Sequence, residues 1–216
     1  MEFVIPSAAH IGAFAVAGFV LLLVPGPAVL YIVGRSVAQG RLAGVVSVLG
    51  ITTGTLVHVT AAVVGLSALI TSSVLAFSVV KYAGAAYLVY IGIRRLMSRA
   101  ESPAEVASPP PRSLWRLYAD GFVVNVLNPK TALFFLAFLP QWIDAAKGGV
   151  PSQIAFLGLL FAVMGLFSDG AYALLAGTAG GWMRRRRGFL KAERYVTGSV
   201  FIGLGLTAAF AGDGRK

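Results

Sequence analysis

The sequence predicts an all-α membrane protein with six transmembrane helices, built as a three-plus-three inverted-topology repeat with helices one and four broken. Three observations carry this reading. Of the 216 residues, 57% are hydrophobic and 12% charged, against roughly 25% charged in a soluble domain. The charges sit mostly as short basic clusters between apolar blocks, the pattern that orients membrane helices. The two halves also match each other at an offset of 103 residues.

A soluble domain this poor in charge would expose large apolar patches, which excludes an ordinary cytosolic enzyme, and its high hydrophobicity excludes a disordered chain. With no cysteine, disulfides, thiolate catalysis and cysteine metal ligands are excluded. His10 and His58 lie far apart, so no metal-ligand spacing exists, and neither a metal nor a cofactor is expected. A net charge of +10 would suggest nucleic acid in a soluble protein. Here it reads as membrane topology, with anionic lipid as a secondary contact. No nucleic-acid partner is expected.

No charge occurs between Glu2 and Arg35. A spanning helix needs about 20 apolar residues, so residues 8–32 suffice for the first span. The residues before it lack the positive charge of a cleaved signal peptide. The uncharged run from Leu42 to Val80 is 39 residues, too long for one span. Thr71-Ser72-Ser73 divides it into a second span near 43–70 and a third near 74–93. A polar linker with three consecutive prolines, Pro109 to Pro111, follows and favours extended chain. The fourth span covers 117–141, a turn with Asp144, Lys147, Gly148-Gly149 and Pro151 follows, the fifth covers 154–176, and the sixth covers 195–211.

The domain reading is a first three-helix repeat at 1–96, a cytoplasmic Pro-rich linker at 97–116 and a second repeat at 117–216, all in one membrane domain. With six spans, the connections after spans one, three and five carry thirteen basic residues, while the other side, including both termini, carries three. Positive charge stays cytoplasmic, so both termini are expected outside.

The repeat is specific at its interruptions. Gly18-Phe19-Val20 matches Gly121-Phe122-Val123, and seven residues after each glycine the apolar helix is broken. The breaks are Pro25-Gly26-Pro27 and Asn128-Pro129-Lys130. Leu30 then matches Leu133, and Tyr31 matches Phe134. Three spans per half is odd, so the second half inserts upside down. Proline removes a backbone donor and clashes with the preceding turn. Unpaired backbone in the bilayer is tolerated only when buried in protein or lining a wet cavity. Paired interruptions of this kind point to a transporter's binding site, where half-helix N-termini suit a carboxylate.

Polar residues add to the candidate site. Asn125 and Asn128 share one helix face. Lys130 lies deep in span four and Asp169 about two-thirds through span five, and intramembrane charges are functional candidates. A Lys130–Asp169 pair is one reading; a proton-carrying Asp169 is another. The substrate or ion-binding set is therefore Pro25, Gly26, Pro27, Asn125, Asn128, Pro129, Lys130 and Asp169, with no catalytic residue. His58 reads as a packing histidine, Lys81-Tyr82 as an interfacial anchor, and the four-residue glycine spacings, such as Gly40 with Gly44 and Gly50 with Gly54, as helix contacts. The chain has no Gly-x-x-x-x-Gly-Lys-Ser/Thr loop, so any transport draws on ion or substrate gradients. A passive pore and a membrane-embedded enzyme remain as alternatives. The enzyme would need a paired acid and base near one face, and the carboxylates are scattered.

The chain resembles the LysE/RhtB family of bacterial amino-acid exporters over nearly its whole length. The resemblance rests on Pro25-Gly26-Pro27 with Leu30, on Gly40-Arg41-x-x-Gly44 with Gly50 and Gly54, and on Lys81-Tyr82-x-Gly84-Ala85-x-Tyr87-Leu88. It continues through Tyr90-x-Gly92-Ile93, Asn128-Pro129-Lys130, Phe134-Phe135 and Phe138-Leu139-Pro140-Gln141. It implies a six-span secondary exporter of the bacterial inner membrane, moving amino acids or derivatives in exchange for protons, with the lipid bilayer as surroundings and a homo-oligomer compatible. It leaves the substrate open among basic, small neutral and branched-chain amino acids.

Overall fold

The computed structural model describes residues 4–68, 74–97 and 111–183, with Tyr195, Ser199, Ile202, Gly203, Leu206 and Ala209 beyond them. Helix α1, Ala8–Leu23, begins where the Ser7 hydroxyl accepts the His10 N–H at 3.3 Å, a side-chain N-cap. It ends for a steric reason. A residue before proline is driven out of the helical region, and Val24, which precedes Pro25, is extended at φ −78°, ψ 116°. Gly26, which precedes Pro27, is extended as well. Helix α2, Pro27–Gln39, restarts with proline at its first position, where the missing N–H costs nothing.

Gly40 is the whole connection to α3. Its φ of +86° is a conformation that glycine alone adopts freely, so its role is the turn rather than the helix contact expected from its spacing. Helix α3, Arg41–Ala61, runs on through a wider π turn, Ala62–Leu66. Helix α4 is Val74–Met97, 24 residues. Helix α5, Leu114–Val126, is capped by Ser113. It stops before Asn128, which precedes Pro129 and is extended at φ −75°, ψ 109°. Helix α6, Pro129–Leu133, continues as a π turn Phe134–Phe138 and a tighter turn Leu139–Trp142. The expected polar turn follows, held by buried Gln153, whose amide donates to the carbonyls of Asp144 and Gly148 at 2.9 and 2.8 Å and accepts the Asp144 N–H. Helix α7, Val150–Met183, spans 34 residues and keeps Pro151 in its first turn, where it is tolerated.

The same pre-proline rule thus interrupts two helices. Across the gaps, α1 and α2 bend by 51°, and α5 and the Pro129–Trp142 run by 44°. Arg41–Leu66 and Val150–Thr178 are each long and apolar enough to cross a bilayer, and the two bent pairs qualify when each is taken together, which gives two to four candidate spans among the described residues. The Thr71–Ser73 turn, linker residues 98–110, the basic run 184–194 and most of the sixth expected span lie outside the described residues.

Side chains are sorted as a lipid solvent demands. Val16, Phe167 and Leu175 face outward, while Ser36, Ser47, Thr55, Asn125, Asn128, Thr131 and Asp169 are buried. The core is aromatic at one end of the molecule, where Phe14, Phe134, Phe135, Phe138 and Phe161 pack together and the rings of Phe134 and Phe161 stack at 4.2 Å.

At the other end α3 and α5 touch through backbone. A Cβ on Gly121 would sit 2.8 Å from the Ser47 carbonyl oxygen, and one on Gly54 would sit 3.0 Å from the Phe122 carbonyl oxygen. A Cβ on Gly50 would overlap the Tyr118 carbonyl oxygen. Backbone cannot yield cheaply, so Gly50→Ala is expected to cost about 1–3 kcal/mol by overpacking. The measurement is the melting temperature of the purified protein in detergent, and an unchanged value would mean that the two helices are not in backbone contact.

Candidate functional site

Each helix interruption leaves carbonyl oxygens without their usual donor four residues on, because Pro25, Pro27 and Pro129 have no N–H. In a bilayer such groups must be satisfied within the protein. At the first interruption the Leu21 carbonyl accepts the Val24 N–H at 3.2 Å, and the Leu23 carbonyl accepts the Tyr172 hydroxyl at 2.7 Å. The Val24 carbonyl accepts the Lys130 ammonium at 2.5 Å. At the second, the Asn125 carbonyl accepts the Asn128 N–H at 3.0 Å and His58 Nε2 at 2.9 Å. A carbonyl only accepts, so that nitrogen carries the proton. Each interruption is therefore held by side chains from the opposite half of the chain: α1–α2 by Tyr172 and Lys130, α5–α6 by His58.

The Asn125 amide is fully committed. Its Nδ2 donates to the Ile51 carbonyl at 2.7 Å and to the Thr55 hydroxyl at 2.8 Å. Its Oδ1 accepts from Asn128 Nδ2 at 3.3 Å and from the Thr131 hydroxyl at 3.0 Å. Asn128 Oδ1 caps α6 by accepting the Lys130 N–H at 3.1 Å. These bonds fix the two asparagines as a rigid floor between α3, α5 and α6.

One cavity opens against this floor, with about 40 Å³ available to the centres of water-sized molecules. Gly26, Asn125, Asn128, Lys130 and Asp169 all line it, together with Thr52, Thr55 and Thr131 and an apolar wall that includes Leu21, Leu22, Phe161, Ala162 and Gly165. The structure thus brings five of the eight sequence-derived site residues to one cavity, while Pro25, Pro27 and Pro129 shape the interruptions without lining it. Asp169 is 6% exposed and lies under the electrostatic influence of Lys130. No hydrogen bond or contact ion pair is seen at its carboxylate among the described residues. The Lys130 side chain reaches across to the first interruption, passing 3.2 Å from where a Cβ on Gly26 would lie.

Sequence reasoning missed Tyr172 and the bonding role of His58. Tyr172 stands three residues after Asp169 on the same helical face, which is a usable signal. His58 does pack, stacking on the Phe135 ring at a centroid distance of 6.1 Å, and it also supplies the donor that Pro129 lacks. His58→Ala is expected to lower stability by about 1–3 kcal/mol through an under-satisfied buried carbonyl, and His58→Gln to recover part of that. Equal melting temperatures for His58→Ala and the parent would contradict the carbonyl accounting.

Long apolar helices with their apolar side chains turned outward mark a multi-pass membrane protein. The chain belongs to the LysE type translocator family, whose profile matches residues 19–212. It is 30% identical to the homoserine/homoserine lactone efflux protein of Salmonella typhimurium over 92% of this chain and 95% of that one. It is 29% identical to the leucine efflux protein of Salmonella choleraesuis over 61% of this chain and 62% of that one, and 28% identical to the uncharacterized membrane protein YrhP of Bacillus subtilis over 86% and 91%. No solved structure matches the chain. Family membership makes the protein a transporter and not an enzyme.

Proposed function

We propose that the protein exports amino acids or close derivatives across the bacterial cytoplasmic membrane in exchange for protons. The observation that carries this reading is the cavity that, among the described residues, has one cation, Lys130, and one anion, Asp169, between two helix interruptions. An amino acid offers the complementary pair. Its carboxylate suits Lys130 and the first turn of α2, where Gly26, Ala28 and Val29 line the cavity and helix-start N–H groups lack intrahelical acceptors. Its ammonium suits Asp169. The efflux relatives, one for homoserine and its lactone and one for leucine, support the substrate class.

Exchange follows from competition. A proton and an ammonium group cannot both occupy one carboxylate, so protonation of Asp169 on the outer side expels the substrate, and deprotonation on the inner side readmits it. The cavity's 40 Å³ holds about three waters at roughly 10–15 Å³ each and is too small for an amino acid. We take it as a closed state between wider ones, in keeping with alternation of two repeats around a fixed site. The full reading has six spans in two inverted halves, 1–96 and 117–216, joined by a cytoplasmic linker at 97–116.

Two measurements test this. In liposomes holding the purified protein, labelled leucine or homoserine should move against its own gradient when a pH gradient is imposed. Movement only down the solute gradient, indifferent to pH, would make the protein a passive pore. A reporter active only outside the cytoplasm, fused after Lys216, should be active; silence there, with a cytoplasmic reporter working, would refute the six-span count and the outward termini.

A further inference from the structure

The export reading leaves the kind of amino acid open, and the distribution of carboxylates narrows it. The chain has eight acidic residues. Asp120, midway along α5, pairs with Arg112, which precedes the helix. Asp144 caps the turn after α6 and pairs with Lys147 at 3.6 Å. Glu2, Glu101, Glu105, Glu193 and Asp213 fall in the polar end and linker stretches of the sequence. Asp169 is the one acidic residue among the described residues that line the cavity. Lys130 is the one basic residue among them.

We propose that the cavity accepts zwitterionic amino acids whose side chain is uncharged and rejects lysine and arginine, and that the wall of Leu21, Leu22, Phe161, Ala162 and Gly165 receives that side chain. The inference rests on the export reading above. A bound substrate spends Asp169 on its ammonium and Lys130 on its carboxylate. A lysine or arginine side chain then brings a second cation to a cavity with no second carboxylate among the described residues that line it, and an unpaired charge out of water is strongly unfavourable. The Asn125 amide cannot compensate, because it already spends both donors and both acceptor positions within the protein, and an amide carries no charge to balance a second cation. A glutamate side chain meets the mirror problem, a second anion beside Asp169 with Lys130 already engaged. An uncharged side chain needs only apolar contact. Leu21, Phe161 and Ala162 are themselves buried, and Gly165 leaves room, since a Cβ there would meet only Leu22 Cδ2 at 3.5 Å.

The experiment is counterflow in liposomes carrying the full chain, with labelled leucine, homoserine, lysine, arginine and glutamate tested singly. Leucine or homoserine should exchange at least about tenfold faster than the three charged amino acids, since one unmet polar demand in a site already gives discrimination of that order or more. Lysine or arginine exchanging as fast as leucine would overturn the charge rule and leave export intact. No exchange of any of the five would overturn the export reading itself, and the inference with it. The second arm adds the missing carboxylate. Ala162 stands seven residues before Asp169, two turns away on the same helical face, so Ala162→Asp should raise the lysine-to-leucine ratio by about tenfold or more. Leu22→Glu, on the facing helix, makes the same test if the first variant fails to insert. An inserted variant with an unchanged ratio would refute the assignment of the wall.

Discussion

Replacing Asp169 by Asn is expected to abolish gradient-driven export while the protein still inserts at normal levels. Asn keeps the size and hydrogen-bonding shape of a protonated carboxyl group and needs no counter-charge, so this buried position (6% exposed) loses nothing that folding requires. Transport loses two things. The substrate ammonium no longer meets an anion, and removing one partner of a buried charge pair costs about 2–5 kcal/mol, roughly 30-fold or more in affinity. The proton loses its carrier as well. In the parent protein, lowering the pH on the side to which the cavity opens should weaken amino-acid binding, because proton and ammonium compete for one carboxylate. In Asp169→Asn that pH dependence should be flat. Liposomes with an imposed pH gradient measure the first effect, and amino-acid binding at several pH values measures the second. Normal gradient-driven export by the variant would remove Asp169 from the mechanism.

The ends of α1 and α5 were legible in the sequence because they are local. Pro25, Pro27 and Pro129 each force the preceding residue out of the helical region whatever surrounds it, and Val24, Gly26 and Asn128 are extended for that reason. Other helix ends were less legible. A helix continues until its backbone partners or sterics fail rather than where apolarity fades, so α2 runs to Gln39, past the expected 32, and α7 fills Val150–Met183 rather than 154–176. Gly40 was read as a packing glycine because spacing alone cannot reveal a φ of +86°.

Of the site, the residue types were legible and the pairing was not. Lys130 and Asp169 stood out because charge in hydrocarbon is unfavourable. That Lys130 reaches the Val24 carbonyl, 106 positions away in sequence, depends on how the two halves pack, which no local pattern encodes. His58 looked inert for the same reason. Its partner is a backbone carbonyl left open by a proline on another helix, and backbone groups carry no signature in the amino-acid alphabet.

Replacing Lys130 by Met is expected to stop amino-acid exchange, and comparison with the double variant Lys130→Met/Asp169→Asn separates two reasons for it. The single change leaves Asp169 as a buried anion without the nearby cation whose field acts on it, which destabilises the protein although the two groups are not in contact. It also strips the Val24 carbonyl of its donor, about 1–3 kcal/mol. The double change removes the first penalty and keeps the second, so it should be more stable than Lys130→Met and still less stable than the parent. Melting temperatures in detergent read this order. Exchange reads the rest. If Lys130 served only to balance Asp169, the double variant would bind amino acids no more weakly than Asp169→Asn alone, since both lack the anion. If Lys130 holds the substrate carboxylate, the double variant binds more weakly still than Asp169→Asn although its stability returns. The second outcome is expected, because Lys130 directly follows an interruption and its ammonium stands at the Val24 carbonyl, on the edge of the other interruption and against the cavity. A Lys130→Met protein that binds and exchanges amino acids with unchanged affinity and rate would defeat both roles and leave the ammonium as a structural pin alone.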